Sequence, residues 1–123
     1  MDNSKNLNII ALDAMGGDYG PEVTVPAAVE ATKKKDLAVI LVGEKQLIEQ
    51  ELSKFSPVET SLLSVVPAQG VVTEEESPAL AYRTKPRASV YVAAGIVKAG
   101  KASGFVSMGS TGASIAASTV LYG

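Results

Sequence analysis

The sequence predicts an α/β protein with a parallel, doubly wound sheet of the Rossmann type. Short apolar runs of strand length alternate four times with segments of helical period. Glycine-rich turns follow the first and the fourth of these runs. The composition, 46% hydrophobic and 20% charged over 123 residues, is that of an ordinary globular domain. Alternation of this kind implies parallel strands joined by right-handed helical crossovers, with helices on both faces of the sheet.

The first strand and helix are predicted from Leu7 to Thr32. Leu7–Leu12 (LNIIAL) is almost continuously apolar, which is typical of a strand buried on both faces. Pro21 stands where a helix begins, since its fixed φ and missing N–H suit the first turn. Apolar residues then recur at helical spacing from Val25 onward, and Lys33–Lys35 provide the cations that favour a helix C-terminus.

The same pattern returns in the next stretch of the chain. Leu37–Val42 (LAVILV) predicts a second buried strand, and Glu44–Phe55 predicts an amphipathic helix that Pro57 ends. Ser61–Val66 predicts a third strand. The following segment, Pro67–Arg87, is polar, contains three prolines and shows no clean period. A loop of that length in a compact domain is usually functional or mobile.

The last part of the chain predicts a further helix, a strand and a second glycine turn. Ala88–Ala99 has apolar residues at helical spacing and is followed by Gly100, which can end a helix. Ser103–Ser107 predicts a short fourth strand. The turn Gly109–Gly112 comes next, and an Ala/Ser-rich helix is predicted to about Tyr122.

The two glycine turns are expected at the same edge of the sheet, where the strands have their carboxyl ends. These are Asp13–Gly20 after the first strand and Met108–Gly112 after the fourth. In a Rossmann-type order those two strands are neighbours at the switch point, where open α/β sheets bind ligands. Glycines allow close approach of the backbone, and N–H groups at a helix start favour an anion. Ser110 and Thr111 add hydroxyl donors, so a phosphate or an oxyanion is the expected ligand.

Simpler interpretations stay open for each of these features. Neither turn has a dinucleotide or Walker fingerprint, and both could be tight strand-to-helix turns only. Asp13 and Asp18 could provide a general base or a magnesium ligand, or they could be strand-end and capping residues. The basic cluster Arg83, Lys85 and Arg87 could meet an acidic partner or a substrate phosphate, or it could be a solvated loop.

Two residue types are missing from the chain, and their absence excludes several chemistries for it. There is no histidine and no cysteine. This chain therefore supplies no histidine or cysteine nucleophile, no Ser-His-Asp triad, no disulfide and no zinc site of the usual type. The formal net charge of −2 disfavours nucleic acid as a partner.

The chain is expected to be soluble and cytoplasmic. Met1–Asn6 is polar and lacks the cationic start and apolar stretch of a secretory signal. The longest apolar runs are strand-sized and much shorter than the roughly 20 residues that span a bilayer.

Four segments resemble the PlsX family, the bacterial phosphate acyltransferases of phospholipid synthesis. Ile10–Glu22 (IALDAMGGDYGPE) closely resembles the N-terminal signature of that family. Leu41–Gly43, Glu76–Ala79 and Val106–Ala113 follow in the family's order. The resemblance covers nearly the whole chain. It implies that the chain, residues 1–123, is the N-terminal α/β portion of a larger enzyme.

The sequence departs from the family pattern at several positions. Tyr19 stands where the family usually has histidine. The family usually has Ala-Gly-Asn-Thr-Gly where Met108–Gly112 stands, so Ser110 replaces the amide by a hydroxyl. The basic segment Arg83–Ser89 stands where the family is usually lysine-rich and continues with paired serines.

The resemblance implies that a fatty acyl group passes from acyl carrier protein to inorganic phosphate, giving acyl phosphate. It implies a fold similar to phosphotransacetylases and isocitrate dehydrogenase-like enzymes, and a homodimer. We expect no cofactor and no metal. Peripheral membrane association would suit a lipid-pathway enzyme, although no amphipathic basic helix is evident. The expected phosphate- and substrate-binding residues are Asp13, Gly16, Gly17, Asp18, Gly109, Ser110, Thr111 and Gly112. Those expected to contact a partner or substrate are Arg83, Lys85, Arg87 and Ser89.

Two other functions are compatible with the same residues. The first is a short-chain phosphotransacetylase that acts on acyl-CoA, since it shares the fold. The second is a binding half-domain that is inert by itself, in which case the 123-residue chain alone shows no turnover.

Overall fold

The part of the chain that the structure describes has seven regular elements, which alternate between strand and helix. The computed structural model describes residues 7–17, 19–70 and 85–107. The strands are β1 (Asn8–Asp13), β2 (Leu37–Gly43), β3 (Leu63–Pro67) and β4 (Gly104–Val106). The helices are α1 (Pro21–Ala31), α2 (Lys45–Leu52) and α3 (Ser89–Lys98). The helix expected to run to about Tyr122 lies outside the described residues.

The four strands form one parallel sheet with the order β3-β2-β1-β4. This order confirms the predicted α/β class and the predicted neighbours, because β1 lies between β2 and β4. The register pairs Leu12 with Leu41 on one side and with Val106 on the other. Pro67 ends β3, the outer strand beside β2, where a missing N–H is tolerated.

One face of the sheet packs against α1 and α2. Ile48 of α2 and Val25 of α1 are fully buried there, together with Leu41 of β2. The face of α1 that carries the recurring apolar residues therefore packs against the sheet, as the sequence predicted. Thr32 follows the end of α1, is also buried, and donates its hydroxyl to the carbonyl oxygen of Val29 at 3.0 Å.

The opposite face of the sheet packs against α3. Ala11 of β1 and Val42 of β2 are completely buried on this side, against Ala93 of α3. Phe105 of β4 contacts the same cluster. Because successive strand residues point to opposite faces, β1 and β2 need apolar residues at nearly every position. The result is a three-layer α/β/α arrangement.

Helix α2 is shorter than its apolar pattern predicted. The helix ends at Leu52, and the chain continues to Phe55 through tighter turns. Lys54 and Phe55 donate their backbone N–H groups three residues back, at 3.2 and 3.0 Å. Phe55 still packs against the core, which explains why the periodic pattern outlasts the helix. Within the three described ranges, no helix is long and apolar enough to cross a bilayer.

Candidate functional site

The carboxyl ends of β1 and β4 are joined by a side-chain hydrogen bond. Ser107, directly after β4, donates its hydroxyl to Oδ2 of Asp13 at 2.9 Å. The other carboxylate oxygen, Oδ1, accepts the backbone N–H of Met15 at 3.0 Å. Asp13 is only 3% exposed. The carboxylate therefore fixes the start of the glycine turn to the exit of β4, at the switch point of the sheet.

The first glycine turn is also tied to the sheet and to α1. Ala14 donates its backbone N–H to the carbonyl oxygen of Val42 at 2.9 Å. Its own carbonyl oxygen accepts the buried hydroxyl of Thr24 at 2.8 Å. Gly17 and Gly20 have φ angles of 80° and 58°, a region that favours glycine. The turn is thus held from three sides: β2, α1 and, through Asp13, β4.

A glycine at the end of β2 gives the Met15 side chain of the first turn room to fold over it. A Cβ atom at Gly43 would lie 2.5 Å from Cγ and 2.7 Å from Sδ of Met15. The carbonyl oxygen of Gly43 accepts the backbone N–H of Ala68, just after β3, at 2.8 Å. Gly43 belongs to Leu41–Gly43, the second segment of the family resemblance. The close approach of the Met15 side chain explains why a residue without a side chain stands there.

Part of the basic segment reaches the same edge of the sheet. The carbonyl oxygen of Arg87 accepts the backbone N–H of Gln69 at 2.8 Å, and that of Gly70 accepts the N–H of Ser89 at 3.3 Å. Both bonds lie beyond the carboxyl end of β3. The start of α3 is thereby fixed beside the exits of β2 and β3.

The basic-segment residues differ in their exposure at that edge. Arg87 is exposed and Lys85 is half-buried. Ser89 is the first residue of α3 and is only 1% exposed. Among these three, Arg87 offers the most accessible side chain to a partner.

The remaining predicted site residues lie outside the described residues. They are Asp18, Arg83, Gly109, Ser110, Thr111 and Gly112. Ser107 directly precedes the segment that contains four of them. Tyr19, at the position where the family usually has histidine, is 71% exposed.

Among the described residues, Lys33 and Glu59 have shifted pKa values, and both lie at the opposite edge of the sheet, where the strands begin. A hydrogen bond with Glu30, together with its charge, raises the pKa of Lys33; the Nζ–Oε2 distance is 2.8 Å. The backbone N–H and the hydroxyl of Ser56 lower the pKa of Glu59. Both titrating groups are surface charges near element ends, so they belong to the scaffold and not to the carboxyl edge.

Sequence reasoning missed Ser107 and Thr24. The signal for Ser107 was available: it is the last residue of the predicted fourth strand, Asp13 directly follows the predicted first strand, and those strands were expected to be neighbours. Thr24 had a weaker signal, because a threonine in the first turns of a helix has many uses.

Comparison with known proteins identifies the family. The family model described as "Fatty acid synthesis protein" matches residues 9–123. A phosphate acyltransferase of Nitratidesulfovibrio vulgaris (strain DP4) is 43% identical over 96% of this chain and 34% of its own length. Proteins of the same name from Heliobacterium modesticaldum and Vibrio campbellii are 46% and 44% identical, over 93% and 89% of this chain. The chain covers 34% and 32% of their lengths, about a third of each curated relative. The chain therefore belongs to the fatty acid synthesis protein family, the PlsX family that its N-terminal signature resembles.

Proposed function

We propose that the protein, in its complete form, transfers a fatty acyl group from acyl carrier protein to inorganic phosphate and so forms acyl phosphate. The family and the names of its relatives support acyl transfer in lipid synthesis. The observation that carries the proposal further is the Asp13–Ser107 hydrogen bond. This bond holds the first glycine turn beside Ser107, the residue that leads into the second glycine turn. Both turns can then face one ligand.

The proposed reaction needs no covalent intermediate on the enzyme. An oxygen of phosphate attacks the thioester carbonyl, and a tetrahedral oxyanion forms. Its collapse breaks the C–S bond, keeps the new C–O bond and releases the thiolate, which takes a proton from water. Because phosphate itself is the nucleophile, the lack of histidine and cysteine in this chain is compatible with the chemistry.

The protein's tasks in this reaction are orientation and stabilisation of the oxyanion. Alignment of two bound reactants can contribute roughly 7–11 kcal/mol. One well-placed oxyanion donor contributes about 2.7–4 kcal/mol. We assign the donors to Ser110 and Thr111 in the turn Gly109–Gly112. The opposing turn, Asp13–Asp18 with Gly16 and Gly17, presents backbone to phosphate and is ordered by its aspartates.

Thr111→Val tests the assignment of the donors. Loss of one oxyanion donor lowers kcat by about 10²–10³-fold. The measurement is phosphate-dependent acyl phosphate formation by the complete protein, with Thr119→Val as a control outside the motif. Full activity of Thr111→Val would remove this residue from the mechanism.

The acyl donor is tested separately, by comparing acyl carrier protein and coenzyme A thioesters of equal acyl length. We propose the carrier protein because exposed Arg87 lies at the carboxyl edge, where an acidic partner would be attracted. Arg87→Ala should raise the KM for the carrier thioester several-fold, and most at low salt. Lys101→Ala, an exposed lysine between α3 and β4, is the control. Preference for the coenzyme A thioester would instead favour a short-chain phosphotransacetylase.

The proposal also includes the assembly and the cellular location of the protein. We expect a homodimer in the cytoplasm that can associate peripherally with the membrane. Sedimentation of the complete protein, alone and with lipid vesicles, measures both states of association.

A further inference from the structure

An apolar pocket of about 260 Å³ lies between α1 and the sheet. Three of its lining residues belong to α1 and five to the strands β1, β2 and β4. They are Ala27, Ala28 and Ala31, and Ile10, Leu12, Leu37, Val39 and Val106. Every one of these side chains is a hydrocarbon.

The alanines of α1 leave this space open. Longer apolar side chains at those three helix positions would fill the gap above β1, as Ile48 of α2 does above the neighbouring part of the sheet. Ala27 and Ala31 are exposed, and Val106 is 49% exposed. Among the residues that the structure describes, the pocket therefore has its opening beside β4, with a hydrophobic rim.

The pocket begins directly below the candidate site. Leu12 and Val106 are register partners; Asp13 is the last residue of β1, and Ser107 directly follows β4. At the other end, Leu37 pairs with Asn8, four residues before Leu12. At about 3.3 Å per strand residue, the lining extends over about 13 Å from the carboxyl edge towards the amino edge.

We propose that this pocket binds the hydrocarbon chain of the acyl donor, with the thioester at the carboxyl edge and the methyl end near Leu37. The inference rests on the proposed acyl transfer. Hydrocarbon brings no polar group into the pocket, and the pocket begins one residue below Asp13 and Ser107, at the edge to which the proposed reaction assigns the thioester. A cavity of about 150 Å³ holds benzene, so this one has room for about ten carbon atoms.

The proposal predicts how kcat/KM depends on acyl length. Each methylene group that enters the pocket should raise kcat/KM about fourfold. The rise should end at about ten carbons, when the pocket is filled. Ala27→Leu places three additional carbons at the rim, so the ratio of kcat/KM for long over short donors should fall by roughly fiftyfold.

The experiment compares the complete wild-type protein, Ala27→Leu and Gln50→Leu with donors that lengthen by two methylenes at a time. Gln50 is an exposed residue of α2 outside the pocket, and leucine there should leave the long-to-short ratio unchanged. Equal chain-length profiles in wild type and Ala27→Leu would overturn the proposal. A lower unfolding midpoint of Ala27→Leu with an unchanged profile would overturn it too, because protein would then fill the pocket.

Binding of free fatty acids by calorimetry separates this inference from the proposed reaction. Affinity that increases with chain length, and that Ala27→Leu weakens while Gln50→Leu does not, supports the pocket without any turnover. If such binding occurs and no donor yields acyl phosphate, only the proposed reaction is wrong. If acyl phosphate forms and binding is insensitive to Ala27→Leu, only the pocket assignment is wrong.

Discussion

Ser107→Ala removes the hydroxyl that joins the exit of β4 to the first glycine turn. Oδ2 of Asp13, in a carboxylate that is 3% exposed, then loses a donor at 2.9 Å. Oδ1 keeps the backbone N–H of Met15 at 3.0 Å. The substitution therefore leaves one half of the carboxylate paired and weakens the connection between the two strand ends.

The magnitude follows from the partners and their burial. A hydrogen bond to a charged group contributes about 1.5–3 kcal/mol. Ser107 is half-buried, so water can replace part of what is lost. We expect a loss of about 1.5 kcal/mol in the free energy of unfolding, at the lower end of that range. If the turn holds phosphate, displacement by about 1 Å should lower kcat/KM by up to about 10²-fold.

Urea unfolding and acyl phosphate formation by the complete protein measure the two effects. Ser103→Ala is the matched control, since this exposed serine precedes the same strand and keeps its backbone bond to Ile9. A double-mutant cycle with Asp13→Ala isolates the pair, because Ser107 has a further interaction of its own. A coupling energy near zero, or wild-type activity of Ser107→Ala, would refute the positioning role.

Three other substitutions test the scaffold, two of them beside the site and one at the opposite edge of the sheet. Thr24→Val leaves the carbonyl of Ala14 without its 2.8 Å donor and should cost about 1–2 kcal/mol, measured by urea unfolding. Gly43→Ala should cost about 1–3 kcal/mol, since the new methyl collides with the Met15 side chain; wild-type stability would contradict that packing. Glu59 has a lowered pKa in the folded protein, so its contribution to stability is present above its ordinary value of 4.5 and is lost as the pH falls through the folded pKa. Glu59→Gln should abolish that acid-dependent loss, and an NMR titration of the carboxyl group measures the shift directly.

The sheet order was predictable because it depends on long, strongly patterned elements. Leu37–Val42 has only one state that buries all its side chains, a central strand covered on both faces. Three such strands joined by right-handed helical crossovers can be arranged in only a few orders within a sheet. The chain adds β2 and β3 on one side of β1 and then crosses to its other side, so β4 becomes a neighbour of β1.

The end of α2 and the hydrogen bond of Ser107 could not be predicted from the sequence, for two different reasons. The periodicity through Phe55 reports which side chains reach the core, and a tight turn can present Phe55 as well as a helix can. A serine after a strand has many potential acceptors. Its bond to Asp13 is determined only when the register places both residues at one edge.

The register of β1 also separates the two proposed binding functions within one strand. Leu12 lines the apolar pocket, while Asp13 is bonded to Ser107. Side chains alternate across a strand, so adjacent residues serve opposite faces without any further device. A slip of one residue between β1 and β4 would move Ser107 away from Asp13 and leave a buried carboxylate without that donor. The same hydrophobic pattern that selects the register thus places the proposed acyl pocket one residue below the polar edge.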